Sequence, residues 1–169
     1  MTRPEHYRSY SAVFPILLRE GANGREVLLH LRQNTGYMDG CWDFAGSGHV
    51  DENETARQAV ARECREELGI TVDPADAEFV HLCHRVAGGD GRTYYDMCFV
   101  IRKYQGEPAV MEPEKNAGLR WFPADALPEN ISSAVEAMLS CCLPGIPYSE
   151  YFNDRPVVLN GKSEYEVNA

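Results

Sequence analysis

Apolar positions along the chain fall mostly into short alternating runs broken by glycine, with two longer stretches at helical spacing. Residues 9–19 are rich in β-formers and run into Gly21-Ala-Asn-Gly24. Glu26-Val-Leu-Leu-His-Leu-Arg32 resumes the extended pattern, which predicts a hairpin. After the loop at 36–40, Trp42-Asp-Phe44 predicts a short strand and Ala45-Gly-Ser-Gly48 a glycine-rich turn. The helix that follows is expected to start near residues 51–54, where acidic side chains suit the positive end of the helix dipole, and to stop at Gly69. Residues 78–87 and 93–104, separated by Gly88-Gly-Asp-Gly91, predict a second hairpin. Leu119-Arg-Trp-Phe122 reads as the last strand, and 124–143 as a packing helix with Ile131, Val135, Met138, Leu139 and Cys142 at spacings of three and four. The tail 144–169 is polar, proline-bearing and expected to be partly irregular. Several strands with two helices predict a mixed α/β class rather than a regular βαβ alternation.

The chain of 169 residues is 44% hydrophobic and 25% charged, enough apolar material for one globular domain over 1–169 with a core at about 9–143. Sixteen Lys plus Arg against 26 Asp plus Glu give a net charge of −10, which disfavours a nucleic acid polymer as partner. The longest apolar run, residues 12–18, includes Pro15 and is far short of the roughly 20 residues a spanning helix needs, so no membrane span is expected. The polar start lacks the apolar stretch of a secretory signal, which implies a cytoplasmic protein. Six scattered cysteines, none in C-x-x-C spacing, read as small buried hydrophobes.

The first helix carries the chemistry. Glu63, Glu66 and Glu67 stand at i, i+3 and i+4, so the three carboxylates share one face. The apolar stripe of Val60, Cys64 and Leu68 is centred roughly a quarter turn away, which puts the carboxylates at the edge of the buried face, over a groove. A solvated acidic face balanced by Arg57, Arg62 and Arg65 is the plainer alternative. The preceding glycine-rich turn argues against it, because its bare backbone can approach a ligand closely. Hard oxygen ligands suit Mg²⁺ or Mn²⁺.

Gly48, five residues, Glu54, seven residues and then Arg62-Glu63-Cys64-Arg65-Glu66-Glu67-Leu68-Gly69-Ile70 resembles the Nudix box, G-x5-E-x7-R-E-U-x-E-E-x-G-U, at every charged and glycine position. The resemblance is looser over residues 9–143. It departs at Ala45-Gly46-Ser47, where many members have Pro-Gly-Gly, and at Cys64, where a larger aliphatic is usual. It implies an MutT-like α/β/α sandwich with a mixed sheet. It also implies Mg²⁺-dependent hydrolysis of a diphosphate bond in a nucleoside diphosphate linked to another moiety, such as an oxidised deoxynucleoside triphosphate. A nucleotide-sugar or dinucleoside-polyphosphate pyrophosphatase, or a non-catalytic nucleotide sensor, is the alternative.

On that resemblance Glu63, Glu66 and Glu67 are catalytic metal ligands, with Glu63 or Glu67 also the base candidate. A backbone carbonyl of Gly48 or Gly46 and one acidic residue after the box, Glu114 or Glu112, would complete the set. Glu54 and Arg62 hold the carboxylates in place. Arg32, Tyr37 and Trp42, with Glu112, are the candidates for contact with a small nucleotide or other diphosphate substrate. A homodimer is among the states the sequence leaves open. His81, Cys83 and His84 do not read as a metal site, because alternate strand positions face opposite sides.

Overall fold

The computed structural model describes residues 7–22, 24–86, 91–153, 155–159 and 162–163. Its central strand, β1 (Tyr10–Gly21), runs parallel to β6 (Tyr94–Ile101), with Tyr10 opposite Tyr94 and Leu17 opposite Ile101. The end of β1 turns back into antiparallel β2 (Gly24–Arg32), which in turn pairs with β3 (Trp42–Phe44) and β7 (Asn116–Pro123). The two-residue β4 (Gly48–His49) docks on β1 at Ala12 and Val13. Beyond β6 come antiparallel β5 (Glu78–Val86), parallel β8 (Tyr148–Phe152), then β9 (Arg155–Leu159) and β10 (Lys162–Ser163). The sheet is therefore mixed.

Alternation along the strands sorts their side chains onto two faces. Val13 and Leu17 of β1, Leu28 of β2 and Phe99 and Ile101 of β6 bury one face against Ala59, Val60, Cys64 and Leu68 of α1 (Ala56–Leu68). Ile16 and Leu18, Val27 and Leu29, and Cys98 and Val100 bury the other against Val135, Met138, Leu139 and Cys142 of α2 (Ser133–Cys142). Each fully buried Val, Leu or Ile contributes roughly 1.5–3 kcal/mol. The result is the expected α/β/α sandwich. Both expected hairpins form; residues 87–90 of the second lie outside the described set. All six cysteines are free, five of them buried.

The structure corrects three boundaries. Helix α1 begins later than its acidic approach suggests: Thr55 is the N-cap, in a reciprocal capping box with Gln58, and the first turn holds no acidic residue. Gly69, at φ 68°, closes the helix with the Ile70 N–H on the Cys64 carbonyl at 3.3 Å. The second helix covers only the later part of 124–143, because Ser132 caps it and the segment before it pairs with Trp42, whose N–H donates to the Asn130 carbonyl while its carbonyl accepts from the Ser132 N–H. Strand β7 is not the last. Residues from Tyr148 onward extend the sheet, held where buried His81 places Nδ1 2.7 Å from the Ile146 carbonyl and Nε2 2.8 Å from Ser149 Oγ. Those bonds occupy both ring nitrogens of His81.

Candidate active site

The glycine-rich turn lies directly against α1. Gly46, at φ 79°, takes a conformation that L side chains disfavour, and its N–H donates to Glu67 Oε2 at 3.0 Å. Gly48 has no such φ, yet a Cβ there would lie 2.0 Å from Glu63 Oε1. The Glu63 carboxylate rests in the space that only glycine leaves open. Arg62 gathers the acidic side chains around it. Its Nε and Nη2 take Glu54 in a two-point grip, each at 3.0 Å, while Nη1 donates to Glu63 Oε1 at 2.7 Å and Glu66 Oε2 at 3.2 Å. Nη2 also donates to the His49 carbonyl at 2.9 Å, tying β4 to the helix.

Burial and charge then set the carboxylates apart. Burial pushes Glu67 up to about 7, with the charges of Glu63 and Glu112 adding to it. Burial also raises Glu63, against the pull of Arg62. Glu54 is held below the ordinary range, chiefly by its hydrogen bonds from Arg62. A group of like charges on hard oxygen donors is the chemistry a divalent cation offsets, and the missing side chain at Gly48 lets the Glu63 carboxylate lie directly against the backbone. The three glutamates do not converge on one point as they stand. Among the described residues no three His, Cys, Asp or Glu side chains form a ready-made cage, since Arg62 holds Glu63 and Glu66 while Gly46 holds Glu67. Glu66, half exposed, is the least buried of the three.

A cavity of about 650 Å³ opens beside this loop, walled by Ser47, Gly48 and His49, by Phe14 of β1, by Arg85, Tyr94 and Asp96 of β5 and β6, and by Met138 of α2. Arg32 and Tyr37 line it too. Arg32 is fixed by the Tyr37 carbonyl at 2.9 Å, Thr35 Oγ1 at 3.1 Å and Asp43 Oδ2 at 3.3 Å. Burial raises the Asp43 carboxyl despite that guanidinium.

The family model for the NUDIX domain matches residues 9–139. The chain belongs to the Nudix family. It is 45% identical over 58 residues to the CTP pyrophosphohydrolase of Escherichia coli, covering 34% of this chain and 39% of that protein. It is 28% identical over 124 residues to the NAD-capped RNA hydrolase of Stutzerimonas stutzeri, covering 73% and 40%. The chain thus spans less than half the length of these curated relatives. Among solved structures, a MutT NUDIX hydrolase from Burkholderia pseudomallei superposes with a TM-score of 0.68 at 28% identity, over 79% of this chain and 97% of that one.

The Nudix box thus brings Gly48, Glu54, Arg62, Glu63, Glu66 and Glu67 together. Of the two acidic candidates after it, Glu112 acts on Glu67 and pairs with Lys115 at 2.9 Å. Glu114 is anchored by its carbonyl to Asn34, and its charge falls on Lys115. Trp42 is taken up by the core: it packs edge-on against Phe122 at 4.7 Å and does not line the cavity. Asp43, Arg85 and Asp96 were not singled out from the sequence. Asp43 carried a signal, a charge inside the apolar strand Trp42–Phe44, whereas Arg85 and Asp96 meet only through the register of β5 on β6.

Proposed function

We propose that the chain hydrolyses a diphosphate bond in a nucleoside diphosphate joined to another group, a nucleoside triphosphate being the simplest member, with Mg²⁺ or Mn²⁺ as cofactor. The observation that carries this reading is the seating of Glu63 against Gly48, a glycine that itself lines a cavity with aromatic and guanidinium walls. Glu63, Glu66 and Glu67 would hold the cation, with the Gly48 carbonyl and Glu112 or Glu114 as further oxygen donors. When bound, the cation polarises the attacked phosphorus and offsets charge on the leaving phosphate.

The chain's own residues do the rest. Arg62 holds Glu54 and Glu63 in one geometry, because a loose ligand costs rate. Glu67 is the better-placed base for the attacking water, since Gly46 orients its Oε2 and it shares no ion pair with Arg62. Arg32, held by Asp43 and Thr35 at the cavity wall, pairs with phosphate, and Tyr37 offers a ring face to the base. The test is a panel of nucleoside triphosphates, nucleotide sugars, ADP-ribose and dinucleoside polyphosphates with Mg²⁺, products identified by mass. Cleavage of a P–O–P bond in at least one, abolished by Glu67→Gln, is expected; binding across the panel with no product refutes the reading.

A further inference from the structure

The cavity beside the glycine-rich turn holds a second carboxylate–guanidinium pair besides Asp43 and Arg32, and the hydrolase chemistry gives it no task. Arg85 Nε donates to Asp96 Oδ2 at 3.1 Å, and the Arg85 guanidinium lies over the Tyr94 ring, 4.4 Å from its centroid. Both charged side chains line the cavity. They differ in depth: the Asp96 side chain is 3% exposed and that of Arg85 24%. The walls around them are apolar, with Ala12 and Phe14 of β1 on the sheet and Ala134 and Met138 on α2. Stability alone is a poor reason for such a pair, since replacing a buried ion pair by apolar side chains of similar volume is often neutral or stabilising. A charged group set into the wall of an apolar slot is how a site fixes the polar edge of a ligand.

The strand register measures how far this pair stands from the acidic face. Ala12 pairs with His49 on one side and with Asp96 on the other. Asp96 therefore lies two strand spacings, about 10 Å, from β4. Next to His49, Gly48 takes the Glu63 carboxylate against its backbone. A phosphate held at the glutamates leaves a span to Asp96 that one sugar and one base bridge.

We propose that Asp96 determines which base the cavity takes: its carboxylate accepts a hydrogen bond from an exocyclic amino group on the side of the base farthest from the sugar, while Arg85 donates to the ring nitrogen beside that group. The ligand class is a nucleotide of cytosine or adenine, and the disfavoured counterparts are uracil and hypoxanthine, which carry an oxo group at that place. The proposal rests on the hydrolase reading and names the base of its nucleoside. The sign follows from the chemistry of the carboxylate. It only accepts hydrogen bonds, and its two oxygens offer about four lone-pair positions, so the bond from Arg85 leaves capacity for an amino group. An oxo group there sets one acceptor against another with no hydrogen between them, the mismatch that a buried polar site rejects.

The experiment compares kcat/KM with Mg²⁺ for CTP against UTP and for ATP against ITP, in wild type and in Asp96→Asn. The members of each pair differ only at the edge in question. Wild type is expected to favour the amino member of at least one pair by roughly 10- to 100-fold, the range of a hydrogen bond to a charged group. Asp96→Asn, of the same size, should reduce that ratio at least tenfold while the oxo member is still cleaved; a merely structural role would slow both members alike. Wild-type ratios that are inverted or within about threefold of unity in both pairs overturn the assignment and leave the hydrolase reading standing. So does a ratio in Asp96→Asn within about threefold of wild type. A wild type that cleaves none of the four also overturns the assignment, and the hydrolase reading falls with it only if the rest of the panel is uncleaved. A second measurement does not depend on a variant that folds. On the unaltered chain with Mg²⁺ and α,β-methylene CTP or ATP, whichever base wild type prefers, the amino protons of the base are expected to show NMR cross-relaxation to the β-protons of Asp96. Cross-relaxation to other residues without Asp96 overturns the assignment.

Discussion

Replacing Gly48 by alanine separates the placement of one carboxylate from the folding of the domain. The new Cβ would lie 2.0 Å from Glu63 Oε1 and 2.3 Å from its Cδ, against an ordinary contact of 3.4 Å or more, so the carboxylate must retreat by about 1.4 Å. Gly48 carries no positive φ, so alanine meets no backbone strain there. The clashing atoms are the end of a flexible side chain. Stability should therefore change by no more than about 1 kcal/mol, the range of a substitution that relaxes through side-chain movement. Rate is more sensitive: a misplacement of about 1 Å costs roughly 100-fold.

The assay is phosphate-bond hydrolysis with Mg²⁺ beside a urea unfolding curve, on Gly48→Ala and on Gly48→Ala combined with Glu63→Asp. Shortening residue 63 by one methylene withdraws its carboxylate from the new methyl, so the double variant should recover at least tenfold of the loss. Activity within threefold of wild type in a stable Gly48→Ala would show that Glu63 need not rest where the structure places it. A loss of several kcal/mol in stability would show that Glu63 cannot yield. Either result refutes the argument.

Other expected outcomes follow from the same geometry. Glu66→Gln and Glu67→Gln should each abolish Mg²⁺-dependent hydrolysis while the unfolding free energy from urea curves stays within about 1 kcal/mol of wild type, because neither substitution changes side-chain volume. Thr55→Ala removes the acceptor for the Gln58 N–H and should cost about 1 kcal/mol in urea unfolding with an unchanged m-value. His30 is buried, its Nε2 has no hydrogen-bond partner, and burial lowers it from 6.5 to about 4, with Arg32 adding to the effect. The unfolded chain then binds this proton where the native chain does not, so stability falls as pH drops through that window. Between pH 7 and 5 wild type should lose about 2 kcal/mol more than His30→Leu, and parallel curves would exclude that cause.

The acidic face was legible in the sequence because it depends on residue types at fixed helical spacing, and spacing survives without knowledge of the fold. The helix start was not, for a related reason. Asp51 and Glu54 look like dipole-stabilising residues of a first turn, but they precede Thr55 and are held by Arg62 from eight or more positions along the chain. The tail was illegible because its strands are specified by distant partners. Strand β8 pairs with β5 and is fixed by His81 through Ile146 and Ser149, a contact that no local pattern announces. The larger cavity is similar: Arg85 and Asp96 sit on different strands, and Phe14 and Met138 join them only once the sandwich closes.

Charge placement bears on the substrate more directly than net charge does. The −10 total suggests a surface that repels phosphate, yet Asp51, Glu54, Glu63 and Glu66 all converge on the single guanidinium of Arg62. A phosphate chain approaching that face meets acidic groups that a cation can mask, while Arg32 and Arg85 stand on the walls of the cavity that Gly48 and His49 line. A polyanion laid across the surface would meet the unmasked remainder of the acidic charge. On the proposed hydrolase reading, a short phosphate chain would touch only the glutamates, a cation held between them and the flanking guanidiniums. On that same reading the chain would favour compact phosphate ligands over polyanions, a form of discrimination that rests on repulsion elsewhere on the surface.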